Sequence, residues 1–69
     1  MNAKAIGERI KKLREGLGQS KKFVAQQLGV SYSALCQWEW GIMVPGDAMK
    51  VKIAAYFNTT VEAIFFADE

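Results

Sequence analysis

The stretch SKKFVAQQLGVSYSALCQWEWG, residues 20–41, decides the fold of this chain. Its apolar spacing predicts two short helices, one on either side of Gly29. Ser20 and Ser31 are of the residue type that caps helix N-termini, and a glycine at position 29 readily adopts the positive φ that ends a helix. The sequence therefore predicts two short helices joined by a tight turn.

Small and apolar residues stand where two such helices have to approach each other. Ala25, four residues before Gly29, is small enough to allow a close approach, and Val30 and Leu35 would fill the angle between the helices. Two helices joined at a steep angle by a turn that contains glycine form a helix-turn-helix, whose second helix enters a groove of DNA. The stretch is therefore a candidate DNA-reading unit.

Residues typical of one family recur in order along most of the chain: Arg9, Leu13, Arg14, Ala25, Leu28, Gly29, Val30, Ser31, Trp38, Glu39, Gly41, Pro45, Ile53, Ala54, Ile64 and Phe65. This ordered set resembles the Cro/phage-repressor (Xre-type) helix-turn-helix family over about residues 6–66. The resemblance implies an all-α fold, a compact five-helix lambda-repressor-like DNA-binding domain. Helices 2 and 3 of that domain would form the motif at residues 20–41.

Length and composition fit one small domain over residues 1–69. The chain has 69 residues, about half of them apolar, which is enough for a compact core. Its single cysteine cannot form an intramolecular disulfide, and its apolar runs are far shorter than the roughly 20 residues of a membrane helix. The first residues contain no apolar signal core. We therefore expect a cytoplasmic protein that does not enter membranes.

Charge is unevenly distributed along the chain. The net charge is only +2, but residues 1–22 carry seven Lys and Arg against two Glu, a net charge of +5. Residues 23–69 carry two Lys against five acidic residues, a net charge of −3. The basic part would lie nearest the DNA backbone in a helix-turn-helix domain. Short basic runs are also common on solvated helix faces, so the charge alone leaves both interpretations open.

Periodicity predicts helices beyond the central pair. Ile6, Ile10, Leu13 and Leu17 recur at helical spacing and predict a first helix over residues 3–17, with this stripe in the core. A fourth helix is predicted from Asp47 to Asn58, and a fifth, capped by Thr60, to about Phe66. Large apolar groups are frequent at the end of the chain: Phe57, Ile64, Phe65 and Phe66. Some must complete the core, and any surplus would mark a dimer surface.

In the family, the second helix of the motif carries the residues that contact base edges. Carried over position by position, Tyr32, Ser33 and Gln37 would face the bases, and Gln37 is the candidate for bidentate adenine recognition. Cys36 is expected on the same exposed side, and Trp38 in the core.

Contacts to the DNA backbone are expected at the start of the first motif helix and at the end of the second. Lys21 stands where the family often has Gln, and Lys22 adds a second charge beside the helix N-terminus, which itself favours phosphate. Trp40 stands where the family usually has Asn. It would either cover the end of the helix or contact the sugar-phosphate backbone through its indole N–H.

An ion pair is implied between the first helix and the end of the motif. In the family the position of Arg14 pairs with the position of Glu39, and both lie close to the DNA backbone. The resemblance therefore implies a mainly structural ion pair, with Arg14 contacting phosphate only secondarily. The alternative is two unrelated surface charges.

The leading hypothesis is a sequence-specific, double-stranded-DNA-binding transcriptional regulator, by default a repressor that binds a palindromic operator as a homodimer. The alternative is an antitoxin-like or adaptor protein whose main partner is another protein. Its binding surfaces would be the apolar loop of Ile42, Met43 and Val44 and the Phe-rich end of the chain.

An enzyme finds no support in the sequence. Cys36 has neither a histidine nor a second cysteine to form a catalytic pair or a zinc site. We therefore expect no catalytic residue, no cofactor and no metal. The chain also leaves no room for the pocket of a small-molecule effector.

Overall fold

The computed structural model describes residues 1–67, which form five helices and no strand. The helices are α1 (Ala3–Gly16), α2 (Lys21–Leu28), α3 (Tyr32–Glu39), α4 (Asp47–Tyr56) and α5 (Val61–Phe65). Each begins and ends within two residues of its predicted bounds. The all-α, five-helix prediction is therefore confirmed.

The predicted helix signals act at the helix ends. Ser20, Ser31 and Thr60 each accept a hydrogen bond through the side-chain oxygen from the backbone N–H three residues on, at 3.0–3.1 Å. Such a cap contributes about 1 kcal/mol by satisfying an N–H group that has no acceptor within the helix. Gly29 ends α2 with a φ of 72°, and Asn58, just beyond α4, has a φ of 55°. Local sequence thus sets where the helices begin and end.

One apolar core joins all five helices. It consists of Ile6, Ile10, Val24, Ala25, Leu28, Leu35, Trp38, Ile53, Ala54, Phe57, Ile64 and Phe65. The prediction that Trp38 belongs to the core is confirmed. Of the four large apolar residues Phe57, Ile64, Phe65 and Phe66, the first three are buried and Phe66 is half-buried against this core. The Phe-rich end therefore leaves little surplus for a dimer surface.

Leu17 departs from its predicted place in the core. Its side chain is 54% exposed, although its spacing continues the apolar stripe of α1. The Leu17 N–H bonds to the carbonyl of Arg14, three residues back, at 3.1 Å. This i→i−3 bond tightens the last turn of α1, and Leu17 is thereby rotated off the apolar stripe.

Helix α1 packs against the end of α3 so closely that their backbones are in contact. A Cβ atom added to Gly7 would overlap the carbonyl oxygen of Trp38 and lie 2.7 Å from that of Glu39. Just beyond α3, a Cβ at Gly41 would lie 2.8 Å from the Cα of Lys4, and the φ of Gly41 is 76°. Two glycines therefore let α1 and the end of α3 approach more closely than any other residue permits.

No helix within residues 1–67 combines the length and the hydropathy that a membrane span requires.

Candidate nucleic-acid interface

The solvent-exposed side of α3 carries the three residues predicted to contact bases. Tyr32 and Ser33 are exposed in its first turn, and Gln37, four residues after Ser33, is half-buried. Residues four apart lie on the same helix face, so Ser33 and Gln37 are neighbours there. The structure thus brings the three residues together on one short polar strip, with Trp38 buried on the other side.

Cys36 was predicted on this exposed side, and that prediction is wrong. The residue is only 4% exposed, and Leu35 beside it is fully buried. Both α1 and α2 pack against α3, so its buried side is wider than a single apolar stripe. The strip left open to solvent is correspondingly narrow.

Hydrogen bonding of the Tyr32 side chain with Cys36, one turn further along α3, is the main cause that raises the pKa of the Tyr32 hydroxyl above its ordinary value. The Tyr32 ring remains more than half exposed at the start of the helix.

The start of α2 presents cations beside free backbone donors. Ser20 accepts the N–H of Phe23 through its side chain, which leaves the N–H groups of Lys21 and Lys22 without an acceptor inside the helix. Lys22 is exposed, and Lys21 is half-buried. A positive helix terminus flanked by two ammonium groups is favourable for a phosphate.

Trp40 lies next to this terminus and is 62% exposed. The Lys21 Nζ atom stands 5.5 Å from the centroid of the Trp40 ring, within the range of a cation–π interaction. The end of α3 and the start of α2 thus meet at these two side chains.

Arg14 and Glu39 form a bidentate ion pair. The Arg14 Nε–H donates to Glu39 Oε2 at 2.7 Å and Nη2–H donates to Oε1 at 3.1 Å, while Nη1–H donates to the carbonyl of Gln19 at 2.9 Å. The Glu39 side chain is 1% exposed and that of Arg14 is 11% exposed. The hydrogen bonds that Arg14 donates to Glu39 raise the pKa of Arg14. The pair joins α1 to the end of α3 and to the loop before α2.

Gln19 positions the loop before α2, a role that sequence reasoning missed. Its carbonyl accepts from Arg14, and its side-chain Oε1 accepts from the Tyr56 hydroxyl at 2.5 Å. The loop that leads into α2 is thereby held between α1 and α4. A glutamine in a loop carries no sequence signal for such a role, because the bonds depend on how distant helices pack.

Only part of the positive charge of residues 1–22 is available to a ligand. Glu39 neutralises Arg14, and Arg9 donates to the carbonyl of Ile64 at 2.7 Å. The exposed cations of residues 1–22 are lysines: Lys4, Lys11, Lys12 and Lys22. Lysine ammonium groups act as strongly hydrated point charges, which suits phosphate contacts more than base reading.

The loop after α3 folds back onto the helix and exposes apolar side chains. The N–H groups of Ile42 and Met43 both donate to the carbonyl of Gln37, at 3.0 and 3.3 Å. Their side chains are nevertheless 66% and 51% exposed. Val44 packs against the core and Pro45 is buried, so the exposed apolar part is confined to the first half of the loop.

In the described range, residues 1–67, no three His, Cys, Asp or Glu side chains come together in a way that could hold a metal ion.

A compact helical domain in which two short helices joined by a tight turn present a polar strip beside a cationic helix terminus is typical of helix-turn-helix DNA-binding domains. A family model described as helix-turn-helix matches residues 10–64. The chain therefore belongs to the Cro/C1-type, Xre-like helix-turn-helix family, which comprises regulators and not enzymes, and it is a DNA-binding transcriptional regulator. No curated protein and no solved structure gives a significant match to it.

Proposed function

We propose that this regulator is a cytoplasmic repressor, which binds a palindromic operator in double-stranded DNA as a homodimer and blocks the site sterically. The supporting observation is that the end of α3, the helix with the exposed strip, meets the cationic start of α2 at the protein surface. Helix α3 then enters the major groove, and α2 approaches the backbone beside it.

Base contacts come from the exposed strip of α3. Gln37 offers a donor and an acceptor, the pattern that pairs with the N7 and N6 of adenine. The Ser33 hydroxyl donates or accepts on the same face, and the exposed ring of Tyr32 suits the methyl group of thymine.

Backbone contacts come from Lys21 and Lys22 at the start of α2, with Trp40 beside them. Arg14 contributes little, because three of its N–H groups are already bonded to Glu39 and Gln19. Its role in this proposal is structural, and any phosphate contact is secondary.

Dimerisation is proposed from geometry and affinity. The longest extent of the domain is 30 Å. Half-sites one helical turn apart are separated by about 34–36 Å, so two copies fit side by side on one face of the duplex without overlap. A single domain with few phosphate contacts binds weakly at physiological salt, whereas two linked domains gain avidity.

Regulation by a small-molecule effector is not part of the proposal. One surface pocket lies between α1 and α5, lined by Arg9, Lys12, Leu13, Thr59, Ala63 and Ile64, with a volume of about 250 Å³. Pockets that bury drug-sized ligands have volumes of about 300–1,000 Å³. Concentration, dimerisation and competition for the operator remain as the means of control.

Selection of binding sites from a random duplex library tests the proposal. We expect an enriched palindrome and, for the selected duplex, a logarithm of the binding constant that falls linearly with the logarithm of salt concentration. Equal affinity for selected and scrambled duplexes would show that specific operator binding is wrong. Sedimentation of the complex then gives the number of chains on each duplex.

Two substitutions separate base reading from backbone anchoring. Gln37→Ala is expected to relax preference at one base position, with a loss of about 1–3 kcal/mol there. Lys21→Ala is expected to weaken binding to all sequences alike and to lower the salt slope by about one. Both are measured by titration of selected and singly mismatched duplexes at several salt concentrations. Identical behaviour of the two variants would contradict the assigned roles.

A second candidate function is that of an adaptor or antitoxin-like protein with a protein partner. The observation that favours it is the exposed apolar pair Ile42 and Met43 beside Trp40. A stable heteromeric complex that co-purifies with the chain, and that Ile42→Ser dissociates, would support this function. A chain that purifies alone and selects a palindrome would favour the operator-binding repressor.

A further inference from the structure

The Lys21 ammonium, at the start of α2, lies over the ring of Trp40. We propose that Trp40 is a positioning residue for DNA binding: its indole face fixes the Lys21 ammonium at the start of α2, where it meets a phosphate. This inference rests on the proposed function and adds to it how Lys21 is positioned to contact a phosphate.

The backbone of Trp40 is fixed from both sides. Its N–H donates to the carbonyl of Cys36 at 2.9 Å, and the following Gly41 packs against the backbone of Lys4. The ring is nevertheless 62% exposed, so the core does not need it. A large aromatic surface on a rigid support is thus placed beside the start of α2.

The position of the Lys21 ammonium matches a cation–π interaction with the Trp40 ring. The Lys21 Nζ atom stands over the ring, 5.5 Å from its centroid. A ring quadrupole attracts an ammonium group within about 6 Å of the centroid. Lys21 is half-buried here, whereas its neighbour Lys22 is exposed and lies over no ring.

A held lysine binds phosphate better than a free one. A lysine side chain has four rotatable bonds, and their immobilisation on a ligand costs conformational entropy. If the ring has already restricted these rotations, less entropy is lost when phosphate binds. The free N–H groups at the start of α2 then face the same phosphate as the positioned ammonium.

The alternative route for Trp40 is a direct bond from its indole N–H to the DNA backbone. The two routes differ in what a substitution removes. Trp40→Phe keeps an aromatic face and removes the N–H, whereas Trp40→Leu removes both. If Trp40 positions Lys21, the Trp40→Phe variant should therefore retain DNA affinity. If the indole N–H contacts the DNA backbone, that variant should lose affinity as Trp40→Leu does.

The test measures the affinity of the full chain for the selected duplex and for a scrambled duplex of equal length. Trp40→Leu is expected to weaken binding to both about two- to fivefold per bound domain, and Trp40→Phe to weaken it much less. In a chain that carries Lys21→Gln, Trp40→Leu is expected to have no further effect. Thermal unfolding of each variant checks that the fold is retained.

Lys22→Gln provides the matched control, because it removes the same charge one residue away from the ring. Its effect is expected to add to that of Trp40→Leu. Equal losses for Trp40→Leu and Trp40→Phe, or additive effects of Trp40→Leu and Lys21→Gln, would overturn the positioning role. A chain without sequence preference would overturn only the operator-binding proposal, since positioning is still measured on the scrambled duplex. A chain that binds no duplex would overturn both.

Discussion

Glu39→Ala is expected to lower the free energy of unfolding by about 3–5 kcal/mol, because it leaves the buried guanidinium of Arg14 without its partner. The two side chains are 1% and 11% exposed, and two hydrogen bonds join them. A buried charge that loses its partner keeps its desolvation cost and has no compensating attraction. Urea unfolding followed by circular dichroism measures the loss.

Total stability for a domain of this size is only a few kcal/mol, so the variant is expected to be largely unfolded at 37 °C. The double variant Arg14→Met with Glu39→Leu separates this explanation from a general need for residue 39. Two apolar side chains leave no charge to desolvate, and stability is expected to return to within about 1 kcal/mol of the original chain.

Glu8→Ala is the matched control for the loss of a carboxylate, because Glu8 is exposed on α1. It is expected to change stability by no more than about 0.5 kcal/mol. A single Glu39→Ala variant as stable as Glu8→Ala would show that the ion pair does not hold α1 to α3. If the double variant is as unstable as Glu39→Ala, the lost stability comes from packing and not from the unpaired charge.

Features set by nearby residues were predictable from the sequence. The N-caps at Ser20, Ser31 and Thr60 act through a backbone N–H three residues away, and Gly29 acts on its own φ. Such interactions need no knowledge of how helices pack. The helix count and the helix ends follow from them and from apolar periodicity.

Features that depend on helix packing were not predictable from residue patterns. The burial of Cys36 follows from two helices that cover α3, and the bond from Tyr56 to Gln19 crosses from α4 to the loop before α2. Lys21 and Trp40 meet only because α2 and α3 cross at a particular angle. The assignment of Tyr32, Ser33 and Gln37 to base contacts came from the family resemblance, since none of these residues carries a signal of its own.

The burial of Lys50, on α4, is another feature that residue patterns did not predict. It is 8% exposed, although lysine is among the residues least often buried. Its Nζ atom donates to Asp47 at 2.9 Å and stands 6.0 Å from the ring centroid of Phe65, on α5. The bond to Asp47 follows from a spacing of three residues, but the contact with α5 does not.

Gly7→Ala is expected to lower the free energy of unfolding by about 3 kcal/mol or more, at the upper end of the cost of overpacking. The added Cβ would overlap the carbonyl oxygen of Trp38 and lie 2.7 Å from that of Glu39. Both obstacles are backbone atoms, so no side-chain rotation relieves the overlap. Helix α1 must move away from α3, which weakens the Arg14–Glu39 pair and the core beneath it.

Gly16→Ala is the matched control, because a Cβ at this last residue of α1 meets no atom within 4 Å. Alanine is favoured over glycine in a helix by about 0.5–1 kcal/mol, so this variant is expected to be slightly more stable than the original chain. Thermal and urea unfolding of the two variants thus give effects of opposite sign from the same substitution. A Gly7→Ala chain as stable as Gly16→Ala would show that α1 does not touch the end of α3. Contact with α1 could then not be what fixes the position of α3.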